Sequence, residues 1–87
     1  MYNLRNHMEG VVAKLVDQYL KDSDVCHCEK CRLDIMALAL NELPPVYFVT
    51  RRGELFASID STYQQNVVDA EVAVLKAIDM VKECPKH

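Results

Sequence analysis

Along residues 3–21, apolar side chains return with the period of an α-helix. Leu4, Met8, Val11, Val12, Leu15, Val16, Tyr19 and Leu20 fall at i, i+4, i+7, i+8, i+11, i+12, i+15 and i+16, with Arg5, Glu9, Lys14, Asp17, Gln18 and Lys21 between them. The pattern predicts an amphipathic helix with one buried stripe. Gly10 inside it costs about 1 kcal/mol of helix propensity. K-D-S-D at 21–24 breaks the period with turn and cap residues. From about Lys30 to Glu42 the chain is rich in strong helix formers. Leu33, Met36, Ala37 and Leu40 make one stripe there, and Ile35, Leu38 and Leu43 widen it, so this second helix is expected to be covered on most sides. Pro44 and Pro45 end it, because proline cannot continue the hydrogen-bond ladder.

The period then changes. V-Y-F-V-T at 46–50 is β-branched and aromatic, R-R-G-E reads as a turn, and L-F-A-S-I at 55–59 is again extended in character. A short β-hairpin or an irregular arm is expected, and a lone hairpin must pack on a helix or pair with another chain. D-S-T-Y-Q at 60–64 reads as a helix start, with Ser61 and Gln64 spaced as a capping box. The third helix runs to about Glu83. Val67, Ala70, Val74, Ala77, Ile78 and Val81 form one face, and Val68, Val72, Leu75 and Met80 form a second. A helix apolar over so much of its girth needs more cover than two other helices supply, which points to homodimerisation through it.

The expected fold is therefore mainly all-α: three main helices with a short β-hairpin or extended arm, in one domain spanning 1–87, dimeric. Two glycines and three prolines in 87 residues agree, since a many-stranded sheet needs more turn formers. A net charge of -3 argues against a DNA-binding surface, which needs excess Lys and Arg. No apolar run approaches a membrane span. The first residues, M-Y-N-L-R-N-H-M-E, lack the apolar region of a secretory signal, so the cytoplasm is the expected compartment.

That compartment changes how the cysteines are read. Residues 26–31 are C-H-C-E-K-C, three cysteines in six positions, and the remaining one, Cys84, stands where the third helix should end. Cytoplasmic thiols stay reduced, so a cluster points to metal or catalysis rather than disulfides. If the second and third helices pack antiparallel, Cys84 reaches Cys26, Cys28 and Cys31. Four thiolates then surround one tetrahedral structural Zn2+, which adds folding energy that a chain of this size needs. Three alternatives remain open. Cys28 and Cys31 form a C-x-x-C pair suited to thiol redox chemistry, though the βαβ context of such motifs is missing. Four cysteines also suit an iron–sulfur cluster. The last alternative is four unrelated reduced thiols. His27, between two ligands, is expected to face solvent, and His7 and His87 are given no role. Nothing in the chain matches a nucleophile elbow, a phosphate loop or a paired-carboxylate site, so no enzymatic activity is expected.

The cysteines are followed by Asp34-Ile35-Met36-Ala37-Leu38-Ala39-Leu40-Asn41-Glu42-Leu43-Pro44-Pro45-Val46-Tyr47. C-x-C-x-x-C with D-I-x-A-L-A-L-N-x-L-P-P-x-Y resembles the late competence development protein ComFB family. The amphipathic helix before it and the helix after it extend the resemblance over nearly the whole chain. The resemblance implies a small, mostly helical, dimeric regulatory protein with structural zinc. Related cyanobacterial proteins are described as receptors for cyclic dinucleotides such as c-di-GMP and c-di-AMP; carried over to this chain, that implies a receptor acting on a downstream protein partner that the residues do not name.

Against that background Tyr47, Phe48, Arg51, Arg52 and Tyr63 gain interest. Arginine pairs bidentately with phosphate or a guanine edge, and aromatic rings stack on purines. Two symmetric copies of Arg51 and Arg52 in a dimer would clasp a two-fold ligand. Tyr47, Arg51, Arg52 and Tyr63 are thus the candidate ligand residues. The plainer alternative is a solvated R-R-G-E turn with Tyr47 and Phe48 packed on a helix. Asp34 and Asn41, polar within an apolar helix, either bond the backbone at the Pro-Pro turn or line a pocket.

Overall fold

The computed structural model describes residues 2–23, 25–58 and 61–83, with the backbone alone for the helical residues 57, 58, 61–65 and 83. In chain order the elements are β1 (Arg5–Asn6), α1 (His7–Leu20), α2 (Glu29–Asn41), β2 (Tyr47–Phe48), α3 (Arg51–Ser58) and α4 (Ser61–Glu83). Three long helices carry the core, while α3 and the two short strands form an appendage at one side. The first helix begins later than the periodicity predicts: it starts at His7, with Arg5 in a strand and Leu4, expected on the buried stripe, 74% exposed.

Helix α1 starts because Asn6 caps it. The Asn6 backbone is extended and its side-chain oxygen accepts from the Met8 N–H, satisfying one of the donors a helix start leaves open. The buried residues Met8, Val12, Val16 and Leu20 repeat every four positions along one stripe. Past Leu20 the chain turns, with the Ser23 N–H donating to the Leu20 carbonyl and the Ser23 hydroxyl accepting from the Val25 N–H. Helix α2 is capped by Cys28 and buries Cys31, Ile35 and Ala39, again every four residues. Its buried stripe differs from the expected one. Leu33 is 49% exposed and Ala37 is exposed, while Met36, Leu38, Leu40 and Leu43 are half-buried against the core. A helix apolar on most sides does not mark its own inner face. The placement of α1 and α4 around it decides that.

In α4 the buried set is Ala70, Ala73, Val74, Ala77, Ile78 and Val81. The three alanines, together with Ala39 on α2, leave room for close helix approach, and α2 packs most extensively against α4. All three long helices touch one another. Among the described residues no polar or charged residue is buried, and no buried side-chain nitrogen or oxygen lacks a partner. The Ser61–Gln64 capping box lies outside the described side chains.

The expected hairpin is replaced by a different pairing. Residues 51–58 are helical, and β2 pairs antiparallel with the N-terminal β1, Arg5 opposite Phe48 and Asn6 opposite Tyr47. Thr50 explains the helix. Its hydroxyl accepts from the Gly53 N–H at 3.0 Å and its carbonyl from the Glu54 N–H at 3.0 Å, an N-cap that R-R-G-E taken as a turn had hidden. Asn6 and its neighbour make the clasp. The Asn6 oxygen accepts a second bond, from the Val46 N–H at 2.9 Å, and the His7 N–H donates to the Val46 carbonyl at 2.7 Å. One side chain therefore caps α1 and ties it to the segment after α2. We expect Asn6→Ala to lower stability by about 2 kcal/mol in urea denaturation, since a cap and a second acceptor are lost together. Asn6→Asp keeps the acceptor and should fall well short of that loss; equal losses would show that the acceptor is not what matters.

Candidate functional site

The cysteine cluster lies where the loop after α1 enters α2. The sulfurs of Cys26, Cys28 and Cys31 all lie within 4.8 Å of one another. Cys28 is the N-cap of α2, and its sulfur accepts from the Cys31 N–H at 3.4 Å. Cys26 and Cys28 are exposed, whereas Cys31 is fully buried in the core that also contains Val25, Ile35 and Val81. The cluster thus straddles the boundary between core and water.

This placement splits the thiols chemically. The Cys31 N–H, and then hydrogen bonds with the other two sulfurs, hold the Cys28 thiol below the ordinary thiol range. Burial above all pushes the Cys31 thiol up to about 12, and hydrogen bonding with Cys28 and Cys26 adds to it. A divalent cation among the sulfurs would reverse the second effect, because its charge favours the thiolate. The donor set fits such an ion. Sulfurs bonded to one tetrahedral zinc at about 2.3 Å stand roughly 3.8 Å apart, within the spread seen here. Cys84 lies outside the described residues. Val81, one turn before it, is buried in the same core as Val25 and Cys31. His27 is exposed and its Nε2 hydrogen-bonds the Ser23 carbonyl at 3.1 Å.

Two ion pairs brace the helices beside the cluster. Arg32 donates to Asp17 from α2 to α1, at 2.7 and 3.2 Å, and these bonds, with the guanidinium charge, hold the Asp17 carboxyl below its usual range. Lys30 donates to Asp34 at 2.7 Å one turn along α2, which raises the Lys30 ammonium. Asp34 is therefore engaged on the helix surface. Asn41 instead borders a groove with Leu4, Pro45 and Tyr47.

The candidate ligand residues fall on two sides of the clasp. Tyr47, 61% exposed, lies in that Leu4–Asn41 groove. Arg51 and Arg52 are exposed at the start of α3 and line other grooves, with Arg52 stacked 5.9 Å from the Phe56 ring centre. The Tyr63 side chain lies outside the described residues. Sequence reasoning gave His7 no role. In the structure its Nδ1 is 2.6 Å from Glu54 on α3, and its ring meets Phe48 edge-on at 6.3 Å. The partners are 47 and 41 positions away, so no local pattern could have signalled them. On α4, the expected second face is open: Val68, Val72, Leu75 and Met80 are between 45% and 54% exposed.

Fold and cluster together define a small, mostly helical protein with three thiols at one helix start, close enough to hold a metal ion. The chain belongs to the late competence development protein ComFB family, whose sequence profile matches residues 5–85. It is similar to competence protein ComFB of Bacillus subtilis (strain 168), 26% identical over 83 residues that cover 94% of this chain and 85% of that protein. It is also similar to the solved structure of the late competence protein ComFB from Bacillus subtilis, with a TM-score of 0.80 and 26% identity over 97% of this chain and 93% of that one. Among the described residues no helix is long and apolar enough to cross a membrane.

The split in burial has a direct consequence. In metal-free, folded protein a thiol reagent should modify Cys26 and Cys28 at least about tenfold faster than Cys31. Peptide mapping after partial labelling reads this, and equal rates at all three would contradict the placement of Cys31 in the core.

Proposed function

We propose that this chain is a non-enzymatic regulatory protein of the ComFB type, stabilised by zinc and acting as a cyclic-dinucleotide receptor. The observation that carries the metal part is the convergence of three sulfurs within 4.8 Å at the first turn of α2, one of them inside the core. Cys26, Cys28 and Cys31 supply three thiolates and Cys84 the fourth. Soft sulfur donors in a closed set favour zinc held structurally. Because Cys31 is part of the core, binding the ion and burying the start of α2 are one event, so metal affinity appears as folding stability.

The open face of α4 supports a homodimer. Four large apolar residues exposed along one helix are an unusual cost for a chain of this size, and a second copy covers them by symmetry. Arg51 and Arg52 supply the charge for a phosphate ligand, with Tyr47 and Tyr63 as stacking surfaces, and ligand binding at α3 is passed to a protein partner.

Native mass spectrometry tests the first two parts together. We expect a dimer carrying one zinc per chain, loss of zinc in Cys28→Ser, and a zinc-loaded monomer for Val72→Glu. A metal-free monomer of the unaltered protein would sink both. Calorimetric titration tests the third part. The dimer should bind c-di-GMP or c-di-AMP at micromolar concentration, and replacing Arg51 and Arg52 with alanine should abolish binding with thermal stability nearly unchanged. No heat from either ligand on a folded dimer removes the receptor reading.

A further inference from the structure

Three grooves share Glu54, and His7 lines two of them. The first, about 630 Å³, lies along the α1 stripe of His7, Gly10 and Lys14, with Arg5 and Phe48 beside it. The second, about 360 Å³, shares Arg5, Phe48 and Glu54 and adds Arg51. The third, about 620 Å³, shares His7, Lys14 and Glu54 and adds Arg51 and Arg52. The shared walls make one recess between α1 and α3. Four permanent cations border it: Arg5, Lys14, Arg51 and Arg52. Two carboxylates do so as well, Glu9 and Glu54, the latter engaged by His7 at 2.6 Å. On a chain of net charge -3 this is a local excess of positive charge, the arrangement that concentrates anions.

Gly10 lines the first groove, and nothing in the fold requires a glycine there. Gly10 has ordinary helical backbone, not a positive φ, and a Cβ added to it would meet nothing within 4 Å. Inside a helix it is disfavoured relative to alanine by about 1 kcal/mol. What a missing side chain provides is a bare strip of helix on which a flat group can lie close. Phe48 walls the same groove with an aromatic ring, half-buried and held against His7. Cations for phosphate and an aromatic wall beside a bare surface make a nucleotide's two halves the matching ligand.

We propose that this recess is the nucleotide site: Arg5 and Lys14 act with Arg51 and Arg52 on the phosphates, and a base lies over Gly10 against Phe48. The inference rests on the receptor reading and relocates it, adding α1 and β1 to a site that sequence placed around Arg51 and Arg52.

The chain has two glycines, Gly10 in the recess and Gly53 in α3, so ¹⁵N-glycine labelling gives one amide resonance for each region. Labelled protein is titrated with c-di-GMP, c-di-AMP, inorganic phosphate and a short single-stranded oligonucleotide. We expect a cyclic dinucleotide to shift both resonances saturably. Gly10→Met, Arg5→Ala and Lys14→Ala should each weaken binding about tenfold or more, with the thermal midpoint of Gly10→Met no lower than that of the unaltered protein. If Gly10→Met does not fold, Gly10→Ala and the two cation variants carry the same comparison. A shift of Gly53 alone, with the Gly10, Arg5 and Lys14 variants binding normally, overturns this site and leaves the receptor reading intact. No shift with either cyclic dinucleotide removes both. A shift of Gly10 by phosphate as strong as by nucleotide, or by the oligonucleotide alone, also overturns the proposal, in favour of a simple anion site or a nucleic-acid surface.

Discussion

Three helices each carry one stripe that must leave water, and each is covered by the other two. Met8, Val12, Val16 and Leu20 on α1, Cys31, Ile35 and Ala39 on α2, and the alanine-rich seam of α4 are all buried or nearly so. Everything else hangs from this mutual burial. At 14 and 13 residues, α1 and α2 are short enough to be marginal alone in water and gain most of their stability from tertiary packing. The small side chains of Ala39, Ala70, Ala73 and Ala77 let the helices approach closely, while Ile35 and Val74 fill the space left between them.

That core reaches directly into the chemistry. Cys31 is at once the first buried residue of α2 and one of three converging sulfurs. Its thiol is desolvated by the same packing that holds the helix, whereas Cys28, one turn earlier, caps the helix in water. A cation bound there would compensate the desolvation of Cys31 and fix the loop between α1 and α2 in one step. A metal ion held there would therefore couple its binding to folding, which a cluster confined to a surface loop would not do.

The other side of the molecule is organised by polar contacts instead. Asn6 caps α1 and accepts from Val46, β1 pairs with β2, and His7 reaches Glu54 on α3. A two-stranded pairing this short is not stable alone. Here it is held because the cap, the pairing and the His7–Glu54 contact share adjacent residues. The clasp also orders the surface chemistry: residues on opposite sides of β2 face different grooves, so Tyr47 parts from the arginines while Phe48 joins them.

Much of this was legible in the chain. The period of Met8, Val12, Val16 and Leu20 determines α1, the helix formers ended by Pro44 and Pro45 determine α2, and the apolar run from Val67 to Val81 determines α4. The closeness of Cys26, Cys28 and Cys31 follows almost from spacing, because six residues entering a helix cannot separate far. Other features belong to the tertiary structure alone. An apolar helix like α2 has no intrinsic inner face, so burial of Ile35 and exposure of Leu33 depend on what packs around it. Residues 46–50 had strand character, with 55–59 as the expected hairpin partner, but the partner proved to be Arg5 and Asn6, some forty positions earlier, leaving 51–58 free to form a helix under its Thr50 cap. The meeting of Arg5, His7 and Lys14 with Arg51, Arg52 and Glu54 is of the same kind. Local periodicity reports what a segment prefers within a turn or two. Which distant segments meet is set by how three stripes are buried at once, and no single stretch of sequence carries that information.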